Sequence, residues 1–284
     1  MKKTSYFILF LFFMLSISNY SQIKGKLVII GGVQTTQIIE KFVELAGGKD
    51  ARIIIIPNAG SEPKLNSEIE QKEFNRLGAK ADYILFTRET ADNTENLKKM
   101  EWANAVFFTG GDQSILTKDM LGTKLLDKVF DIYKDGGVIG GTSAGAAVMS
   151  KVMITGNELL NKDSTDSFIT IEKNNIETKQ GFGFLTTVII DQHFLKRKRH
   201  NRTISALIEH PKLVGVAIDE STAIIVYPDD IFQVYGKNQV LVYDPTKATD
   251  IREDRKGNLG ISNMKLHVLI SGDKFDLKTN QVIK

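Results

Sequence analysis

The sequence predicts an α/β fold, a three-layer, mostly parallel sheet with helices on both faces and antiparallel hairpins appended at its C-terminal end. Three observations predict it. Runs rich in β-branched residues alternate with helix-length amphipathic segments, the pattern of a parallel sheet covered on both faces. Glycine turns close several of those runs, at Gly31-Gly32, Gly110-Gly111 and Gly141 to Gly145. The last third replaces the helical segments with short strands separated by turn signals at Pro228-Asp229-Asp230 and Gly236-Lys237-Asn238.

The elements follow in order. Lys26 to Ile30 reads as a strand, Thr36 to Ala46 as a helix, and Arg52 to Ile56 as a second strand closed by Pro57-Asn58-Ala59-Gly60. Ser67 to Leu77 is a helix, Tyr83 to Phe86 a strand, Asn93 to Met100 a short helix and Ala105 to Phe108 a strand. One long helix from Leu116 to Tyr133 leads to the apolar run Gly137-Val138-Ile139. The polar stretch from Glu158 to Gln180 reads as an active-site flap or a surface insertion. Beyond it come a strand at Thr187 to Ile190, a helix at Arg199 to Glu209 and a strand at Leu213 to Ile218. Short strands at Ala223 to Val226, Ile231 to Tyr235, Val240 to Tyr243 and Leu266 to Ile270 complete the hairpins.

The N-terminus is set apart from this fold. Lys2 and Lys3 precede the apolar stretch Tyr6 to Leu15 and the small, polar stretch Ser16 to Ser21, which is the pattern of a secretory signal peptide. The apolar core is too short to span a bilayer comfortably, so residues 1–21 are expected to be removed and the protein to be secreted or periplasmic. Residues 22–284, about 260 residues without a Pro-rich linker or repeat, are expected to form a single domain. The chain has no cysteine, which excludes disulfides, a cysteine-linked lipid and thiol chemistry. A net charge of +3 is modest for this length and says little about nucleic-acid or membrane partners; no nucleic acid and no stable membrane anchor are expected.

In open α/β sheets the working site lies beyond the carboxyl ends of the strands. Gly31-Gly32 lacks the third glycine and the acidic residue of a dinucleotide fingerprint, so no cofactor is expected there. The four histidines lack ligand spacing with carboxylates, so no metal is expected either. Gly141-Thr142-Ser143-Ala144-Gly145 is different, because it joins a buried-strand pattern to the small residues Ala146 and Ala147. A serine there sits on a sharp strand-to-helix bend with its hydroxyl exposed and backbone N–H groups behind it, as a hydrolase nucleophile requires.

Such a serine needs a general base, and histidine has the right pKa. His200 and His210 lie in or beside a charged helical segment and read as surface residues, and His267 lies inside a strand. His193 follows a strand directly and is therefore the expected base, at the sheet edge that also carries Ser143. The base needs a carboxylate partner. Asp219 or Glu220, after the buried run Val216-Ala217-Ile218, are the candidates, with Asp191 and Glu158 behind them. The order Ser143, His193, Glu220 differs from the serine, acid, histidine order of α/β-hydrolases, which would need His267 as base.

With these residues assembled, the chain resembles the cyanophycinases, in the serine peptidase family that also contains the aspartyl dipeptidases called peptidase E. The likeness lies in Ile29-Ile30-Gly31-Gly32, Phe108-Thr109-Gly110-Gly111-Asp112-Gln113, Gly141 to Ala146, Asp191-Gln192-His193-Phe194 and Asp219-Glu220-Ser221-Thr222-Ala223. The resemblance implies a fold similar to class I glutamine amidotransferase domains and a triad of Ser143, His193 and Glu220. It also implies an oxyanion hole from the Gly111 and Ala144 amides, and a pocket shaped by Gln113, Asp191, Gln192, Arg197, Arg199 and Arg202. The implied activity is hydrolysis of cyanophycin, a polyaspartate with arginine on each side chain, to β-Asp-Arg dipeptides, and the resemblance suggests a homodimer.

By composition alone the run Lys196 to Arg202 is a solvated helix face. On a helix Arg199 and Arg202 share a face, so a pocket that includes Arg197 requires the turn after His193 to bring it round. Arginine forks suit the carboxylates of such a substrate, and Asp112 or Asp191 are candidates for its guanidinium. A peptidase E-like activity on short aspartyl peptides is the alternative and would promote Glu158 as the acid. A catalytically silent polymer-binding protein is the other.

Overall fold

The computed structural model describes residues 23–160 and 168–284. The expected signal peptide lies outside them, as does part of the polar stretch after Glu158. The central sheet has a parallel half of five strands: β1 (Lys26–Ile30), β2 (Arg52–Ile56), β3 (Lys80–Tyr83), β4 (Ala105–Phe108) and β5 (Val138–Thr142). Between them run α1 (Thr36–Leu45), α2 (Pro63–Arg76), α3 (Thr94–Trp102), α4 (Gln113–Met120) and α5 (Lys124–Lys134). The spatial order from the edge inward is β3, β2, β4, β5, β1.

At β1 the sheet continues antiparallel into β10 (Thr222–Val226) and β11 (Ile231–Gly236), and then into the C-terminal hairpin of β16 (Lys274–Asp276) and β17 (Gln281–Ile283). α1 and α2 cover one face through Ile38, Phe42 and Phe74, which meet Phe107 from β4. Each such side chain, fully buried, contributes on the order of 2 kcal/mol.

The other face of the parallel half carries α3, α4 and α5. Over its antiparallel half lies a second sheet of four strands: β8 (Val188–Gln192), β9 (Val214–Ile218), β12 (Val240–Asp244) and β15 (Lys265–Leu269). It packs inward through residues such as Val216, Val242 and Leu269, and outward against α7 (His200–Glu209) through Leu207, Ala217 and Leu241. Of these, β8, β9 and β12 are buried on both faces, which explains their largely apolar sequence. Two further hairpins complete the molecule, β6 (Val152–Glu158) with β7 (Ile176–Gln180), and β13 (Thr249–Glu253) with β14 (Leu259–Ser262).

Several expectations need correction. The strand expected at Tyr83 to Phe86 is instead Lys80–Tyr83, because pairing with β2 ends at Ile55 opposite Tyr83. The single helix from Leu116 to Tyr133 is two helices. Its break falls at Gly122, with φ of 74°, and Thr123 caps the second helix by accepting from the Leu126 amide. The polar stretch contains the end of β6 and all of β7. His193 follows a strand of the second sheet, so it does not share a sheet with Ser143.

Candidate active site

The end of β1 is the junction on which the two sheets meet. The Ile30 carbonyl accepts the Ser143 amide at 3.1 Å, and the Gly31 carbonyl accepts the His193 amide at 2.5 Å. The Gly31 amide donates to Thr222 at 2.9 Å, while the Ser221 amide donates to the Gly32 and Val33 carbonyls. β8 and β9 run parallel with Gln192 opposite Ile218, so His193 and Glu220 leave the second sheet side by side. The chain from Asp219 to Thr222 then crosses to the central sheet, where Ala223 pairs with Ile30. In this way residues from two sheets reach one point.

Ser143 sits at φ 53° and ψ −108°, a strained bend between β5 and the single turn α6 (Ala144–Ala147). The bend closes so tightly that a Cβ on Gly145 would lie 2.3 Å from the Phe108 carbonyl oxygen. Ser143 Oγ lies 2.8 Å from His193 Nε2, and His193 Nδ1 lies 2.7 Å from Glu220 Oε1. With the proton on Nδ1 donated to Glu220, Nε2 is free to accept the serine hydroxyl. The Glu220 carbonyl is held by Asn238 Nδ2 at 2.8 Å, which fixes the acid's backbone.

Burial lowers the pKa of His193 below its ordinary 6.5. The Glu220 hydrogen bond opposes this, and the charges of Arg197 and Arg199 reinforce it. The imidazole is therefore neutral and able to take a proton at neutral pH. A kcat/KM profile is expected to keep its acid limb below pH 6.5 and to shift it upward in Arg199→Gln, which removes one of the repelling charges. A wild-type limb centred above 6.5 would contradict this.

Gly32 lies against the ring. Its φ is 116°, and a Cβ there would stand 2.1 Å from His193 Cε1. Gly32→Ala is expected to displace the imidazole and lower kcat by about 100-fold or more with the protein still folded. Unchanged turnover would show that the ring does not need this seat. The sequence offers Gly31-Gly32 as an incomplete cofactor motif and as part of the family likeness; the contact with His193, distant along the chain, is visible only in the fold.

The other expected residues divide sharply. The Gly111 and Ala144 amides donate to no carbonyl among the described residues, as an oxyanion site requires. Asp219 does not face the imidazole; its Oδ1 accepts the Lys196 amide at 3.0 Å and caps the turn after His193. Glu158 accepts from the Phe168 amide and Asn175 Nδ2 within the β6–β7 hairpin. Asp112 caps α4 by accepting from the Ser114 amide.

Asp191 is enclosed. Its carboxylate accepts Arg202 Nε at 2.9 Å, Arg202 Nη2, Thr203 Oγ1 at 2.5 Å and the Gln192 amide at 2.8 Å. Burial alone would raise its pKa, but Arg202, Arg199 and Thr203 more than offset this and hold it low. Arg202, 2 % exposed, also lies under the Phe168 ring. Gln113 gives Nε2 to the Ile154 and Thr155 carbonyls, at 2.9 and 2.6 Å. The side chains of Gln113, Asp191 and Arg202 are thus engaged with neighbouring protein groups.

Arg197 and Arg199 lie close enough to His193 for their charges to act on it. Gln192 holds Arg199 Nη1 through its carbonyl, at 2.6 Å, and its side-chain oxygen. The remaining Arg199 nitrogens make no hydrogen bond among the described residues. Burial beside Arg202 lowers the Arg199 pKa to about 9, so it stays charged at neutral pH. Arg197 is exposed, and its amide donates to the His193 carbonyl at 3.0 Å. His200, expected at the surface, is half-buried and bonds the Tyr243 hydroxyl at 2.6 Å, whereas His267 packs on Phe275 away from Ser143. Thr203 and Phe168 were invisible to sequence reasoning, since they act only through Asp191 and Arg202.

Comparison with known proteins bears on this arrangement. The chain matches peptidase family S51 over residues 27–234. It is 33% identical over 269 residues to a cyanophycinase of Geminocystis herdmanii, covering 91% of this chain and 96% of that protein. It is 34% identical over 270 residues to a cyanophycinase of Trichormus variabilis, covering 92% and 88%. Among solved structures, a peptidase from an acI-B1 Actinobacterium superposes with a TM-score of 0.67 at 22% identity, covering 90% of this chain and 98% of that one. A putative peptidase E from Listeria monocytogenes gives 0.52 at 14%, covering 75% and 99%. These two likenesses concern the fold.

Proposed function

The chain belongs to peptidase family S51 and is a serine-type peptidase; on that premise we propose that it hydrolyses cyanophycin to β-Asp-Arg dipeptides through Ser143, His193 and Glu220. Ser143 Oγ attacks the peptide carbonyl that follows an aspartyl residue while His193 Nε2 takes the hydroxyl proton. Glu220 keeps the imidazole in the required tautomer and stabilises the imidazolium. The Gly111 and Ala144 amides stabilise the oxyanion. His193 returns its proton to the leaving amine, and water attacks the acyl-enzyme by the same route in reverse.

The observation that carries this reading is the hydrogen-bonded chain from Ser143 through His193 to Glu220, with Arg197 and Arg199 beside it. Every arginyl branch of cyanophycin ends in a free carboxylate, which a guanidinium fork binds well. Asp191, Gln192, Gln113 and Arg202 engage neighbouring protein groups instead of meeting the substrate. A peptidase E-like reading that relied on Glu158 loses support, because that carboxylate is engaged within its own hairpin. The pattern of residues 1–21 supports action outside the cytoplasm, where an insoluble polymer is accessible.

The test is to incubate the protein with insoluble cyanophycin and, separately, with α-aspartyl dipeptides, and to identify the products by mass. Release of β-Asp-Arg is the expected result. Cleavage of the dipeptides alone would replace the polymer by short aspartyl peptides as the substrate.

A further inference from the structure

A cleft opens on the strand-end edge that carries Ser143, at the ends of β2 and β3. It has a volume of about 510 Å³, and its lining includes Asn58, Lys64, Leu85, Phe86 and Asp119. Asn58 follows β2 and Leu85 follows β3, so the cleft lies up to three strands from Ser143, about 14 Å at the usual strand spacing. α4 links the two places: Gln113 at its start follows Gly111, and Asp119 lies near its end.

The charges in this cleft are not placed to stabilise their helices. Lys64 lies in the first turn of α2, where the helix dipole disfavours a cation, and it is exposed with no ion pair or hydrogen bond among the described residues. Asp119 lies in the last turn of α4, where the dipole disfavours an anion. One of its oxygens accepts from Asn58 Nδ2 at 2.9 Å, and that amide also donates to the Phe86 carbonyl. The other carboxylate oxygen makes no hydrogen bond among the described residues. Leu85, 44% exposed, lines the same cleft.

An anion, a cation and an apolar floor within one cleft match a zwitterion with a methylene stem. We infer that this cleft is a remote subsite for an aspartyl-arginine branch of the polymer, an inference that rests on the cyanophycin reading. Asp119 takes the branch guanidinium, Lys64 its carboxylate, and Leu85 and Phe86 its methylene chain. An extended backbone advances roughly 3.4 Å per residue, so the branch it holds belongs to an aspartyl residue about four positions from the scissile bond. The subsite would keep the enzyme on long chains and be idle on short ones.

The experiment compares a substrate of two Asp-Arg units with one of eight or more, for the wild type and for Lys64→Ala and Asp119→Asn. Both variants retain groups compatible with the fold, which unchanged thermal midpoints verify. KM for the long substrate is expected to rise about tenfold in each, with kcat and all constants for the short substrate unchanged. Wild-type KM on the long substrate in both variants would overturn the subsite. Equal losses on short and long substrates would also overturn it, since the short one cannot reach the cleft. A wild type that cleaves neither substrate would remove the cyanophycin reading itself, and the subsite with it.

Discussion

Ser143→Ala is expected to lower the rate of dipeptide release by about 10⁵-fold or more without unfolding the protein. The reason is the absence of a substitute nucleophile: the chain has no cysteine, and among the described residues only Ser143 stands at a strained bend with its hydroxyl on the His193 ring. His193→Ala should cost about as much, and the double variant little more than either single one, because the two side chains act as a unit. Glu220→Gln should lose about 10⁴-fold, since an amide in place of the carboxylate favours the wrong imidazole tautomer. Initial rates on cyanophycin measure all four. Normal turnover in Glu220→Gln together with loss in Glu158→Gln would reassign the acid.

Asp191→Asn is expected to destabilise the fold by about 3–5 kcal/mol, because it leaves the Arg202 charge buried without its counter-ion. For a chain of this size the thermal midpoint should fall by about 10 °C. Activity should suffer as well, since Gln192 and through it Arg199 lean on the same cluster. The pH dependence has a definite sign. The Asp191 pKa is lowered in the folded protein, so its contribution is complete above the unfolded carboxylate pKa and is lost as pH falls through the lower folded value. A variant that melts within a degree or two of the wild type would show that Arg202 finds another partner.

The sequence made the chemistry more legible than the architecture. Ser143 and His193 were readable as candidates because each directly follows a strand that opens on β-branched residues, and strand ends are where such sheets place function. The residues alone leave Asp219 and Glu220 open, because adjacent residues at a strand end differ only in direction; the family likeness points to Glu220, and in the fold Asp219 accepts the Lys196 amide instead. The second sheet was hidden for a physical reason. Strands buried on both faces, such as β8, β9 and β12, have the same apolar sequence whichever sheet they join. Residues such as Asp191 and Arg202 have pocket-like chemistry but are saturated by each other, and pairing of that kind is a property of the fold.

The most direct test of the site is to treat the protein with a fluorophosphonate and map the modified residue by peptide mass. The label is expected on Ser143 alone, and labelling should be abolished in His193→Ala, where the hydroxyl has lost its base. Modification of a different hydroxyl, with Ser143 left free, would contradict the assignment of the nucleophile.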